Sequence, residues 1–147
     1  ARSFPENARV LQESLREIVE ILKAKFPQLK LVYLSSRTYG GYSDTDLSPE
    51  PIAYESGFAV KWLIEECIKS QSPDRSRPWL SWGPYLWANG ATPRSDGLIW
   101  ERSDVEADGV HPSAKGALKV AAMLLEFFGN DPTTLPWFFS RSSVALK

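Results

Sequence analysis

The stretch LKLVYLSS, residues 29–36, decides the fold class. It is a short run dense in aliphatic and β-forming residues, closed off by the turn-rich RTYGGYSD, and it predicts a buried strand. Upstream, Leu11, Leu15, Ile18 and Leu22 recur at alternating steps of four and three, while Arg9, Glu13, Arg16, Glu20 and Lys23 fall largely elsewhere. That pattern predicts an amphipathic helix over residues 6–26, stopped by Pro27. Downstream, a polar loop over residues 37–51 gives way to YESGFAVKWLIEECIKS, where Val60, Leu63, Ile64, Cys67 and Ile68 return at helical spacing up to Ser70. The strand is therefore flanked by two helices.

The remainder continues the alternation. After the hydrophilic turn QSPDRSRP, the segment WLSWGPYLWANG predicts a short strand, Trp79–Trp82, ending in an aromatic loop. DGLIWERSD is expected to form a second, weaker extended piece. A loop over residues 108–113 leads into a helix that has Pro112 in its first turn and runs to Phe128, with Gly129 ending it. Ala117, Leu118, Val120, Ala121, Leu124, Leu125 and Phe128 make this helix apolar nearly all round, which predicts deep burial. Residues 129–147 form an irregular tail whose Trp137, Phe138 and Phe139 need a surface to cover.

Helices alternating with strands imply an α/β domain with parallel strands joined by crossovers and helices on the sheet faces. Residues 1–147 are expected to form one such domain. Two secure strands leave an unpaired edge on each side, so something must cover or extend the sheet. Self-association as a homodimer, or a partner chain completing the sheet, is the expected solution, through residues 29–36 or the apolar side of the first helix, with the Trp137–Phe139 tail reaching across. With 17 basic against 18 acidic residues, many in mixed-sign helical pairs such as Lys61 with Glu65, nucleic acid is not expected as a partner. No run approaches 18 apolar residues and no charged-then-apolar leader opens the chain, so a soluble molecule without a membrane partner is expected. The chain opens at Ala1 rather than at Met, and residues upstream of it are expected. The single Cys67 sits in a helical apolar pattern and reads as a small core residue.

The chemistry concentrates at Asp108 and His111, the only histidine. A hydrolytic serine needs an imidazole to take its proton and an acceptor on the other ring nitrogen to hold the useful tautomer. A carboxylate three residues ahead of the ring, with Gly109 permitting the turn, can provide both; a bare D-x-x-H also suits a plain turn and helix cap. Ser36 and Arg37, at the carboxyl end of the first strand, and Trp82 and Trp87, on the aromatic segment, are candidate binding residues for a small ester or carbohydrate ligand. Ser35 or Ser36 as an internal nucleophile is the weaker alternative to their capping the loop. Asp44, Asp46 and Glu50 lack the arrangement of a calcium loop and read as a solvated acidic turn, and one histidine with one cysteine makes a transition-metal site improbable. No cofactor is expected.

The block DGVHPSAKGALKVAAMLLEFF resembles the last block of the SGNH hydrolases, the GDSL-type esterases and lipases, in which D-x-x-H-P precedes the final helix. FPQLKLVYLSSR and LSWGPYLWANG resemble that family's late strands, so the likeness runs over most of residues 26–128, with strong motif specificity at residues 108–112. The resemblance implies a partial flavodoxin-like sheet lacking its early strands, with His111 as general base and Asp108 as its orienting acid. The family's Gly-Asp-Ser nucleophile block does not occur in the chain, and Gly129, Asn130 and Asp131, which mimic its asparagine block in letters, fall after His111 and read as a helix C-cap. Two functions follow. One is a non-catalytic or incomplete SGNH-like module that self-associates or pairs with a partner chain; the other is the C-terminal part of an ester or carbohydrate-ester hydrolase whose serine comes from an upstream segment or a partner.

Overall fold

The computed structural model describes residues 3–70 and 77–138. Its elements run α1 (Glu6–Lys25), β1 (Leu31–Leu34), α2 (Ile52–Ser70), β2 (Trp79–Trp82), a 3-10 turn at Arg102–Asp104, α3 (Ala114–Asn130) and α4 (Leu135–Phe138). The protein is a mixed α/β structure. β1 and β2 pair in parallel, with Leu31 opposite Trp79 and Leu34 opposite Trp82, and among the described residues they are the whole sheet. The ladder is extended at both ends, by the Trp79 N–H to the Lys30 carbonyl and by the Gly83 N–H to the Leu34 carbonyl.

The core lies where α1 and α2 meet the sheet. Val19, Val60, Leu63, Ile64 and Leu80 are buried together, and Leu15, Val32, Leu34, Cys67 and Trp82 pack against them. α1 buries Ala8, Gln12 and Val19, whereas Ile18 and Ile21 are exposed. The buried stripe is thus rotated by about one residue from the one expected, because the sheet and α2 cover only one side of a helix that carries apolar residues on two. Gln12 is tolerated on the inner side because its amide donates to Glu66 and its oxygen accepts from Arg9.

The expected second extended piece in DGLIWERSD is not a strand. Among the described residues no strand pairs with it, and its groups are bound to the aromatic loop instead: the Trp100 N–H donates to the Gly90 carbonyl and its indole Nε1 to the Leu86 carbonyl, both at 2.8 Å. Trp100 is 1% exposed and anchors the loop.

α3 departs most from expectation. Only Gly116 is buried along it, and Leu118 and Leu125 are 72% and 62% exposed. An all-apolar helix is buried only where a sheet or second helix is broad enough to cover it. Here Phe127 meets Tyr33 of β1 edge-on at 5.1 Å, and Phe128 meets Trp137 and Phe138 of α4. The helix also runs two residues past Phe128: Gly129 and Asn130 stay helical, and Asp131 ends it with ψ 130°. The cause is Pro132, which disfavours helical backbone in the residue before it. At the other end Ser113 is the N-cap, its hydroxyl accepting from the Gly116 N–H, so Pro112 stands just ahead of the helix rather than in its first turn. The expected irregular tail contains α4, and just ahead of it the buried Thr134 donates its hydroxyl to the main-chain carbonyls of Phe128, at the end of α3, and Asp131. Phe139, the rest of the tail and residues 71–76 of the hydrophilic turn lie outside the described residues.

Candidate functional site

The loop between the 3-10 turn and α3 closes on itself. Val105 and Pro112 form an antiparallel bridge, the Glu106 N–H donates to the His111 carbonyl at 2.8 Å, and the Ser113 N–H donates to the Asp104 carbonyl at 2.9 Å. At its tip the Gly109 N–H returns to the Glu106 carbonyl. Gly109 has φ +69°, and a Cβ there would fall 1.7 Å from the Tyr42 carbonyl oxygen. Glycine is required on both counts. The tip docks on the loop after β1, where the Asp44 N–H donates to the Asp108 carbonyl.

This frame brings Asp108 and His111 together. One carboxylate oxygen accepts from the backbone N–H groups of Val110 and His111, at 2.9 and 3.0 Å. The other lies 2.5 Å from His111 Nδ1. The ring bond foremost, then the two backbone donors, hold the Asp108 carboxyl down at about 2, below its ordinary 3.8. An ionised carboxylate can only accept, so Nδ1 carries the proton in either charge state of the ring. His111 is 67% exposed, and Nε2 has no partner among the described residues. Chemically, the pair can accept a proton at Nε2 and stabilise the resulting imidazolium from the Nδ1 side.

The other candidates are placed elsewhere. Ser36 is 4% exposed, and its hydroxyl accepts from the N–H groups of Leu86 and Trp87 at 2.8 and 3.2 Å, pinning the aromatic loop to the end of β1. Trp82 packs against the core and Tyr85. Trp87 donates from Nε1 to Glu50 at 2.8 Å and lies 4.7 Å from the Tyr54 ring. Arg37 is exposed, its N–H directed to the Ser56 hydroxyl. Among the described residues no hydrogen bond or ring contact joins Ser35, Ser36, Arg37, Trp82 or Trp87 to the Asp108–His111 pair. Glu50 is not part of a solvated turn: it also accepts from the N–H groups of Gly40 and Tyr54 and ties the loop after β1 to α2. Among the described residues no group of three or more His, Cys, Asp or Glu side chains is placed to hold a metal ion.

A cluster at the base of the loop has no counterpart in the sequence reading. Asp104 is fully buried; its Oδ2 accepts from the Glu101 N–H at 2.7 Å and from Lys119 Nζ at 2.5 Å. Burial pushes the Asp104 carboxyl up, but these donors and the Lys115 ammonium outweigh it and hold the group below its ordinary value. The legible signal was two lysines four apart at the start of a largely apolar helix. A groove of about 500 Å³ lies between α1 and α2 beside Arg9, Gln12, Trp62 and Glu66, away from all of these residues.

Comparison with protein-family models, curated proteins and solved structures finds no match to this chain.

Proposed function

We propose that the chain is the late part of an SGNH-type hydrolase domain, a partial flavodoxin-like sheet in which His111 is the general base and Asp108 its orienting acid. The observation that carries this reading is the 2.5 Å approach of Asp108 to Nδ1 together with an exposed Nε2. In that role Nε2 takes the proton of a serine hydroxyl as its oxygen bonds to the acyl carbon of an ester or carbohydrate ester. The imidazolium then returns the proton to the departing alkoxide. The serine and oxyanion donors come from early strands on another segment or a partner chain. A base without its nucleophile contributes little, so the chain alone hydrolyses short p-nitrophenyl esters no faster than its His111→Ala variant. Joined to early strands bearing a Gly-Asp-Ser block, it gains turnover that His111→Ala abolishes. A folded fusion whose turnover survives that substitution overturns the reading, as does fluorophosphonate labelling of Ser35 or Ser36 in the chain alone.

The second reading, an SGNH-like interaction module without catalysis, is favoured by a different observation: among the described residues β1 pairs on one side only, and Ile18, Leu118 and Leu125 lie exposed on flanking helices. On this reading a second copy or a completing chain covers that surface. Light scattering distinguishes the cases: a mass near 16.5 kDa at micromolar concentration rejects self-association.

A further inference from the structure

Asp104 is held by α3 and in turn holds the loop. Its side chain is 0% exposed and receives Lys119 from the body of α3, and the same ammonium donates to the Ile99 carbonyl at 3.1 Å. Its other carboxylate oxygen has no hydrogen bond among the described residues, and the nearest cation there is Lys115, 3.4 Å away and itself held by Glu101 and the Ser103 hydroxyl. The Asp104 carbonyl meanwhile accepts the Ser113 N–H, and a Cβ on Gly116 would fall 2.0 Å from it. Thus one residue is locked to the helix through its side chain and closes the loop through its main chain. Both strands of the loop leave from this point. Val105 pairs with Pro112, and Arg102 holds the carbonyls of Glu106 and Ala107 at 2.7 and 2.8 Å. A buried ion pair contributes little net stability compared with an apolar pair of the same shape, and its best-attested use is to fix register.

We propose that Asp104, neutralised by Lys119, is the positioning residue for the Asp108–His111 pair, fixing the base of the loop so that the carboxylate meets Nδ1 and leaves Nε2 for proton transfer. This rests on the acid–base reading of that pair. Because His111 is the only histidine, its ring signals have a single assignment, and long-range proton–nitrogen correlation spectra at alkaline pH report its tautomer through the ring C–H protons. The intact chain gives the Nδ1–H form. Asp108→Asn reverts the ring toward the Nε2–H form of free imidazole; no change there defeats the pair itself, separately from the present proposal. Lys119→Met lowers the Nδ1–H share by more than half, and Lys119→Arg restores it. A folded Lys119→Met protein with an unchanged tautomer overturns the proposal. Should that variant lose its fold, Lys115→Met replaces it, since it removes only the outer ammonium. A partial loss of the Nδ1–H form is then expected, and an unchanged ring again overturns the proposal.

Discussion

α2 and α3 are apolar helices of similar length, and they meet opposite fates. α2 buries Val60, Leu63 and Ile64 in the core with Val19 of α1 and Leu80 of β2, while α3 buries only Gly116 and leaves Leu118 and Leu125 in water. The difference is not in the helices but in what stands opposite them: α2 faces α1 and β2, whereas α3 meets the single aromatic edge of Tyr33 and the short α4. What holds α3 in place at its start is polar, the Asp104 carboxylate with two lysines and the Ser113 cap. Burial is a property of a pair of surfaces, and a helix sequence describes only one of them.

Truncating each helix breaks the comparison most directly. Leu63→Ala in α2 leaves a cavity in the closed core and costs about 3 kcal/mol in denaturant unfolding. Leu118→Ala in α3 removes a side chain already in water and costs less than about 0.5 kcal/mol. Equal costs would mean that α3 is covered in solution. Lys119→Met tests the polar attachment: it strands a buried carboxylate and costs about 2–3 kcal/mol, discounted for the part of Lys119 that water reaches. Lys119→Arg recovers most of that.

Acid sharpens the same contrast. Asp108, held at about 2 by the His111 ring and two backbone donors, and Asp104, also lowered, both have folded values below the unfolded 3.8. Their contribution is therefore present above the unfolded value and is lost on acidification, for Asp108 as pH falls toward about 2. Hydrogen exchange should find the loop and the start of α3 opening over that window while the amides of α2 stay protected. Uniform opening of both helices would refute the polar attachment. The smallest effect on stability belongs to Leu125→Ser, within about 0.5 kcal/mol. If the exposed side of α3 is a docking surface, the same change lowers the apparent mass in light scattering.

Much of the local architecture was legible in the chain. The helical periods, Pro27, and the short runs around Leu31 and Trp79 place α1, β1, α2 and β2 because these signals are set within a few residues. Asp108 and His111 were legible for the same reason: three residues apart, with Gly109 between them, they meet through one turn. Ser36 was legible as a strand-end hydroxyl, but its partners Leu86 and Trp87 lie on another segment, and Glu50 gave no sign that it would receive the Trp87 indole.

The sequence by itself determined that α1, β1, α2 and β2 follow one another in alternation, and that one carboxylate and one imidazole share a turn. Only the tertiary structure decided which face of α1 turns inward, that the apolar α3 stays largely in water, and that the buried Asp104 takes its charge partner from a helix fifteen residues on. The physical reason is range. Helical period, proline and a three-residue turn act through covalent neighbours, whereas burial and ion pairing are settled by whichever surface the folded chain brings opposite.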